Sequence, residues 1–209
     1  MDEVLTVLEQ QQIIAVAPEP SARSDKIMPI EGIRWRWTWA AYTVDGAIPA
    51  VEDYLSSLPR DEQALELGLV LWQRLVRAES QAFYAQQLLR CQFNAQWQID
   101  MGFAQNRGSV VLSIAQWRYC AWAAVRKGAT MACQKGASQD ELREAMYHEL
   151  TRRAAALAAG RYGNCAFHPY TEQPPSALAR GFAIQWFSLG GAYWGAPPNS
   201  ARHLQPPEA

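Results

Sequence analysis

Residues 93–103 read FNAQWQIDMGF, and the period of this stretch decides the fold class. Its odd positions, Phe93, Ala95, Trp97, Ile99, Met101 and Phe103, are apolar, while its even positions, Asn94, Gln96, Gln98, Asp100 and Gly102, are not. Apolar residues at every second position stand on one side of a pleated strand, whereas a helix spreads them around its axis. The stretch is therefore expected to be a half-buried strand. QNRG (105–108) has turn composition, and SVVLSIAQWRYCAW (109–122) resumes with β-branched and aromatic residues. Residues 92–122 are accordingly expected to form a long antiparallel hairpin. Gln is a good helix former, so a pair of helices over the same residues is the rival arrangement.

Two further stretches carry the same alternation. IRWRWTWAAY (33–42) sets Trp35, Trp37 and Trp39 on alternate positions with Arg34 and Arg36 between them, and GFAIQWFSL (181–189) alternates more weakly. Gln stands beside Trp in NAQW (94–97), IAQW (114–117) and AIQW (183–186), as if three strands each showed Gln on one face and Trp on the other. The pattern predicts an antiparallel sheet of about three to five strands, near 33–39, 92–104, 109–122 and 181–189.

Helices are expected on either side of these strands. From residue 61 to 90, Leu65, Leu69, Trp72, Val76 and Phe83 keep to one broad face, Asp61 and Glu62 suit the N-terminal dipole, and Gly68 is the weak point. From 138 to 159, Ser138 with Glu141 three residues on makes a capping box, and Gly160 supplies the stop. The fold class expected is thus α+β, a sheet packed against helices near 61–90 and 138–159. Residues 1–30 are expected to hold a short amphipathic helix and a mobile linker (APEPSARSDK, 17–26), residues 31–195 one globular domain, and residues 196–209 a flexible Pro-rich tail.

With 49% hydrophobic and 19% charged residues among 209, the composition is that of a folded chain, and nine Trp imply an aromatic core. The formal net charge is −1, from −5 over residues 1–99 (8 basic, 13 acidic groups) and +4 over 100–209 (11 and 7). Such a balance offers little to a phosphate backbone or an anionic membrane. The N-terminus has no basic segment leading an apolar run, and no apolar run reaches 18 residues, which predicts a cytoplasmic protein without a membrane span. Cys91, Cys120, Cys133 and Cys165 form no CxxC pair and are expected as reduced thiols. Sixteen Arg against three Lys, with abundant Ala, suits a GC-rich bacterial genome.

No GxGxxG, GxxxxGK[ST], HExxH or GxSxG motif is present, and neither a cofactor nor a metal is expected. The first candidate surface is the polar face of the expected sheet: Arg34, Arg36, Gln96, Gln98, Asp100, Gln116 and Arg118. There the Trp rings would be core, and the guanidinium and amide groups would make planar hydrogen bonds with a partner. The second is NCAFHPY (164–170), where Cys165 and His168 could pair as thiolate and imidazole, although nothing resembling an oxyanion loop or a second metal-ligand pair accompanies them. Glu141, Glu144, His148 and Glu149 read as a solvated helix face. The leading functional expectation is a non-enzymatic cytosolic protein that binds another macromolecule, foremost a protein, as an inhibitor, adaptor or accessory factor. Single-stranded nucleic-acid binding through the Arg/Trp/Gln sheet face is the first alternative, disfavoured by the charge balance. A thiol-dependent enzyme using Cys165 and His168 is the second.

Overall fold

Helix, not sheet, builds most of this chain. The structure, a computed structural model, describes residues 14–16, 27–30, 33–37, 44–107, 110–133, 136–162, 167 and 176–205. The chain divides into two compact units, Met1–Ser56 and Ser57–Ala209.

In the first unit the backbone forms three short strands, β1 (Ile14–Val16), β2 (Ile27–Ile30) and β3 (Ile33–Trp37), and helix α1 (Val44–Ser57). The strands pair antiparallel in the order β1-β3-β2, with Ile14 opposite Trp37, Ile27 opposite Arg36 and Ile30 opposite Ile33. The strand expected near 33–39 covers 33–37, but it pairs with 14–16 and 27–30 and not with the segments 92–104, 109–122 and 181–189 of the expected sheet. The helix expected in residues 2–14 lies outside the described residues up to residue 13.

The second unit is helical throughout its described residues, which overturns the expected α+β sheet. Its elements are α2 (Glu62–Arg90), a 3-10 turn (Ala95–Gln98), α3 (Ile99–Asn106), α4 (Ile114–Ala132), α5 (Gln139–Ala158), the short α6 (Ala177–Arg180), a π turn (Gly181–Trp186), α7 (Ala192–Gly195) and a final 3-10 turn (Ala201–Leu204). The strands expected at 92–104, 109–122 and 181–189 are therefore replaced by a 3-10 turn with α3, by α4, and by a π turn.

The reason lies in the burial pattern. Phe93, Trp97, Asp100, Met101, Ala104 and Gln105 are buried, a spacing of three and four, while Ile99 and Phe103 are left 53% and 55% exposed. Phe93, Trp97 and Met101 satisfy a two-residue and a four-residue period equally, so the alternation was compatible with a helix whose Ile99 and Phe103 face water. Local capping then favours the helix. The Asn94 side chain accepts from the Gln96 N–H at 2.9 Å, and Ser113 with Gln116 forms a complete capping box at the start of α4.

α2, 29 residues and about 44 Å long at 1.5 Å per residue, is the spine of this unit. Asp61 caps it by accepting from the Ala64 N–H. Its buried face carries Trp72, Leu75, Val76, Phe83, Tyr84 and Leu88. Gly68 is required by close approach: a Cβ there would lie 2.5 Å from the Phe187 ring and 3.1 Å from Leu204. α4 lays Cys120, Ala121, Ala124 and Gly128 against Met146, Leu150 and Ala154 of α5, the small side chains letting the two helices come close. The segment expected as a flexible tail lies against α2 through residue 204. Leu204 is fully buried, His203 meets the Trp72 ring edge-on at 6.0 Å, and the Gln73 side chain donates to the Pro198 carbonyl at 3.0 Å.

Candidate functional site: a groove between two helices

α3 is eight residues long and would be marginal alone; one ion pair and a row of side chains hold it in place. Asp100, 5% exposed, accepts two hydrogen bonds from Arg143 of α5, Nε to Oδ2 at 2.9 Å and Nη2 to Oδ1 at 2.7 Å. This planar two-point contact is the strong form of the arginine–carboxylate pair, and it fixes the direction of α3 as well as its distance from α5. Met101 and Ala104 then turn inward, so Ile99 and Phe103, one helical turn apart, stand outward.

Beside that outward row a groove of about 500 Å³ opens between α3 and α5. Ala104, Val110, Ala154 and Ala155 form its floor, and Arg107, His148 and Arg152 its rim. Among the described residues no carboxylate lines it. Glu149, just behind the rim, accepts from both Arg152 (2.7 Å) and Arg153 (2.6 Å). Burial works against the Glu149 charge, but those hydrogen bonds and the two guanidinium charges outweigh it and hold its pKa below the usual carboxylate range. Arg152 also donates to the Tyr162 hydroxyl at 2.9 Å, and Arg153 to that of Tyr119. The arginines are thus pre-positioned by their own contacts. His148 and Glu144 make an exposed i,i+4 pair at 3.5 Å.

The residues singled out from the sequence do not share one sheet face. Gln96 and Gln98 are exposed on the 3-10 turn before α3, the Gln116 amide is engaged in the α4 capping box, and Arg118 is fully buried on α4. Arg36 stands in β3 opposite Ala15 and Ile27, and Arg34 opposite Pro29. The common sheet face that was to unite them does not form, since five of the seven, Asp100 included, lie on helices or helical turns. Cys165 and His168 lie outside the described residues. Among the described residues no three His, Cys, Asp or Glu side chains gather so as to hold a metal ion, and no helix is long and apolar enough to cross a membrane.

Arg118 has surroundings of its own. Its guanidinium carbon lies 5.0 Å from the Phe83 ring centre and 4.5 Å from that of Trp194, and Nη2 is 3.6 Å from Glu79 Oε2. Among the described residues none of its three side-chain nitrogens finds a hydrogen-bond acceptor. Burial lowers its pKa, partly opposed by the Glu79 charge.

Sequence reasoning missed the groove because it assigned Ile99 and Phe103 to a core. The available signal was the pair of polar residues, Asp100 and Gln105, that a helical reading forces inside. The chain matches no protein-family model, no curated protein and no solved structure.

Proposed function

We propose that this chain is a non-enzymatic cytosolic protein that acts by binding another protein, as an inhibitor, adaptor or accessory factor. The observation that carries this reading is the exposed Ile99–Phe103 row on a helix pinned by the Asp100–Arg143 pair, next to a groove with an alanine floor. Single exposed apolar residues are ordinary on a protein surface. Two large ones a turn apart, on a rigidly held helix that borders a concavity, have the layout of a recognition surface. The cytosolic setting is in keeping with free thiols at Cys91, Cys120 and Cys133.

The test is affinity capture from the host, comparing the natural protein with an Ile99→Glu/Phe103→Glu variant. Both side chains are exposed, so the variant should keep its helicity and melting temperature. A protein retained in stoichiometric amount by the natural chain and lost by the variant is the expected outcome. Equal recovery by both, or recovery of nothing but nucleic acid, would refute the reading.

A further inference from the structure

The groove also restricts what kind of partner segment it accepts. We infer that the α3/α5 groove receives an acidic, amphipathic helix from the partner protein, its apolar face on Ile99, Phe103 and the alanine floor and its carboxylates against Arg107 and Arg152. This inference rests on the protein-binding reading above and adds the partner's chemistry to it.

The dimensions favour a helix. The exposed row Ile99–Phe103–Arg107 covers nine residues, eight steps of 1.5 Å or about 12 Å, and the α5 wall from His148 to Ala155 covers eight, seven steps or about 10.5 Å. Each wall is therefore about two helical turns long, the span over which a docked helix presents anchors at i, i+3 or i+4, and i+7. A floor of Ala104, Ala154 and Ala155 leaves room for large side chains from the other partner. A volume of 500 Å³ would also suit a small ligand. The apolar row on α3, however, runs beyond the groove lining to Ile99, which a ligand confined to the groove would leave in water.

The charges favour an acidic helix. Glu149 serves two arginines, so the Glu149–Arg152–Arg153 cluster retains one positive charge. Arg107 adds a second across the groove, and among the described residues no carboxylate belongs to the lining itself. A basic segment would meet Arg107 and the net positive charge of the Glu149–Arg152–Arg153 cluster, whereas an acidic one gains charge-assisted contacts with Arg107 and with an Arg152 already oriented by Glu149 and Tyr162.

The test places a photo-crosslinking amino acid at Ala155 in the groove and, separately, at the exposed Ala82 of α2, in the full-length protein in host extract. The expected result is a crosslink from Ala155, and not from Ala82, to a protein segment rich in Asp and Glu with apolar residues at helical spacing. A synthetic peptide of that segment should bind the natural chain and lose at least tenfold in affinity to Arg107→Glu, with the loss shrinking at high salt. A crosslink from Ala155 to a basic or uncharged segment, to nucleic acid or to a second copy of this chain overturns the inference. So does peptide affinity that is indifferent to Arg107→Glu. If the Ile99→Glu/Phe103→Glu variant loses a protein partner but Ala155 yields no crosslink, the protein-binding reading stands and the groove assignment fails. If neither experiment finds a protein, both fail.

Discussion

Arg118 of α4 and Glu79 of α2 face each other inside the core at 3.6 Å, beyond hydrogen-bonding distance. The other Glu79 oxygen accepts the Ser176 N–H at 3.1 Å. The guanidinium is therefore stabilised by one carboxylate charge and by the faces of Phe83 and Trp194, not by directed hydrogen bonds. Buried pairs of this kind repay their desolvation incompletely, yet removing one member strands the other. Glu79→Leu should lower unfolding free energy by about 3–5 kcal/mol, as should Arg118→Met. The double variant Glu79→Leu/Arg118→Met should recover most of that loss. Denaturant titrations of the four corners of this cycle decide it, and additive losses would show that the two charges are not coupled.

Tyr84 makes the opposite case. Its hydroxyl is buried without a hydrogen-bond partner among the described residues, and burial, followed by the nearby Asp100 charge, pushes its pKa well above the ordinary tyrosine value. A buried polar group without a partner is a net loss that its removal recovers. Tyr84→Phe should leave the fold intact and raise stability by about 1 kcal/mol. A clear destabilisation in thermal unfolding would mean that the hydroxyl has a partner in solution, with ordered water the first suspect.

Two helical glycines should respond to alanine with opposite signs. At Gly68 the new methyl would enter the Phe187 ring, with 2.5 and 2.8 Å to its carbons, and the ring is itself packed in the core. Helix propensity favours alanine by about 1 kcal/mol, but overpacking of about 1–3 kcal/mol works against it, so Gly68→Ala should destabilise. At Gly102 the one neighbour among the described residues is the Gln81 amide nitrogen at 3.2 Å, the end of a flexible side chain held by a single 3.3 Å bond to Gln105 Oε1. Gly102→Ala should therefore stabilise by roughly 0.5–1 kcal/mol. Chemical denaturation of the pair reads both signs, and equal shifts would contradict the packing around Gly68.

The capping box at Ser113 gives a further measurable quantity. Ser113 is fully buried, its hydroxyl accepts the Gln116 N–H at 3.2 Å, and the Gln116 side chain accepts the Ser113 N–H at 3.0 Å. Ser113→Ala should cost about 1–2 kcal/mol, at the upper end for a helix cap. A change within a few tenths would show that α4 does not depend on its cap.

The same four residues show how far the sequence could be read. Ser113-x-x-Gln116 has the spacing of Ser138-x-x-Glu141, which marks α5 plainly, yet the β-branched Val110 and Val111 and the aromatic residues after them favoured a strand. α2 and α5 were legible because their apolar faces and caps agree, and the strand at 33–37 because its alternation has no competing helical reading. Residues 93–103 were not, since Phe93, Trp97 and Met101 fit both periods. Only two facts of tertiary structure separate the readings: Asp100 finds Arg143 across the α3–α5 contact, and Ile99 and Phe103 have no core to enter. The candidate site was lost with them, because its apolar row is the part of the alternation that a helix leaves in water.

The groove's electrostatics predict a pH response. The Glu149 pKa lies below the unfolded value of about 4.3, so as pH falls the unfolded chain takes up this proton first. The contribution of Glu149 to stability is therefore complete above the unfolded pKa and disappears as pH drops through the folded one. Glu149→Gln removes that titration. Its melting temperature should be lower than that of the natural chain near neutral pH, and the gap should narrow as pH falls below the unfolded carboxylate value of about 4.3. Glu141, held low chiefly by its hydrogen bonds to Ser138, titrates alike in both proteins, so the difference between the two curves isolates Glu149. Loss of this carboxylate also frees Arg152 and Arg153 from their shared acceptor, which raises the positive charge behind the groove. An acidic partner helix should then bind Glu149→Gln at least as tightly as the natural chain even though the variant is less stable, and parallel melting curves across this pH range would show that the arginines do not hold the carboxylate low.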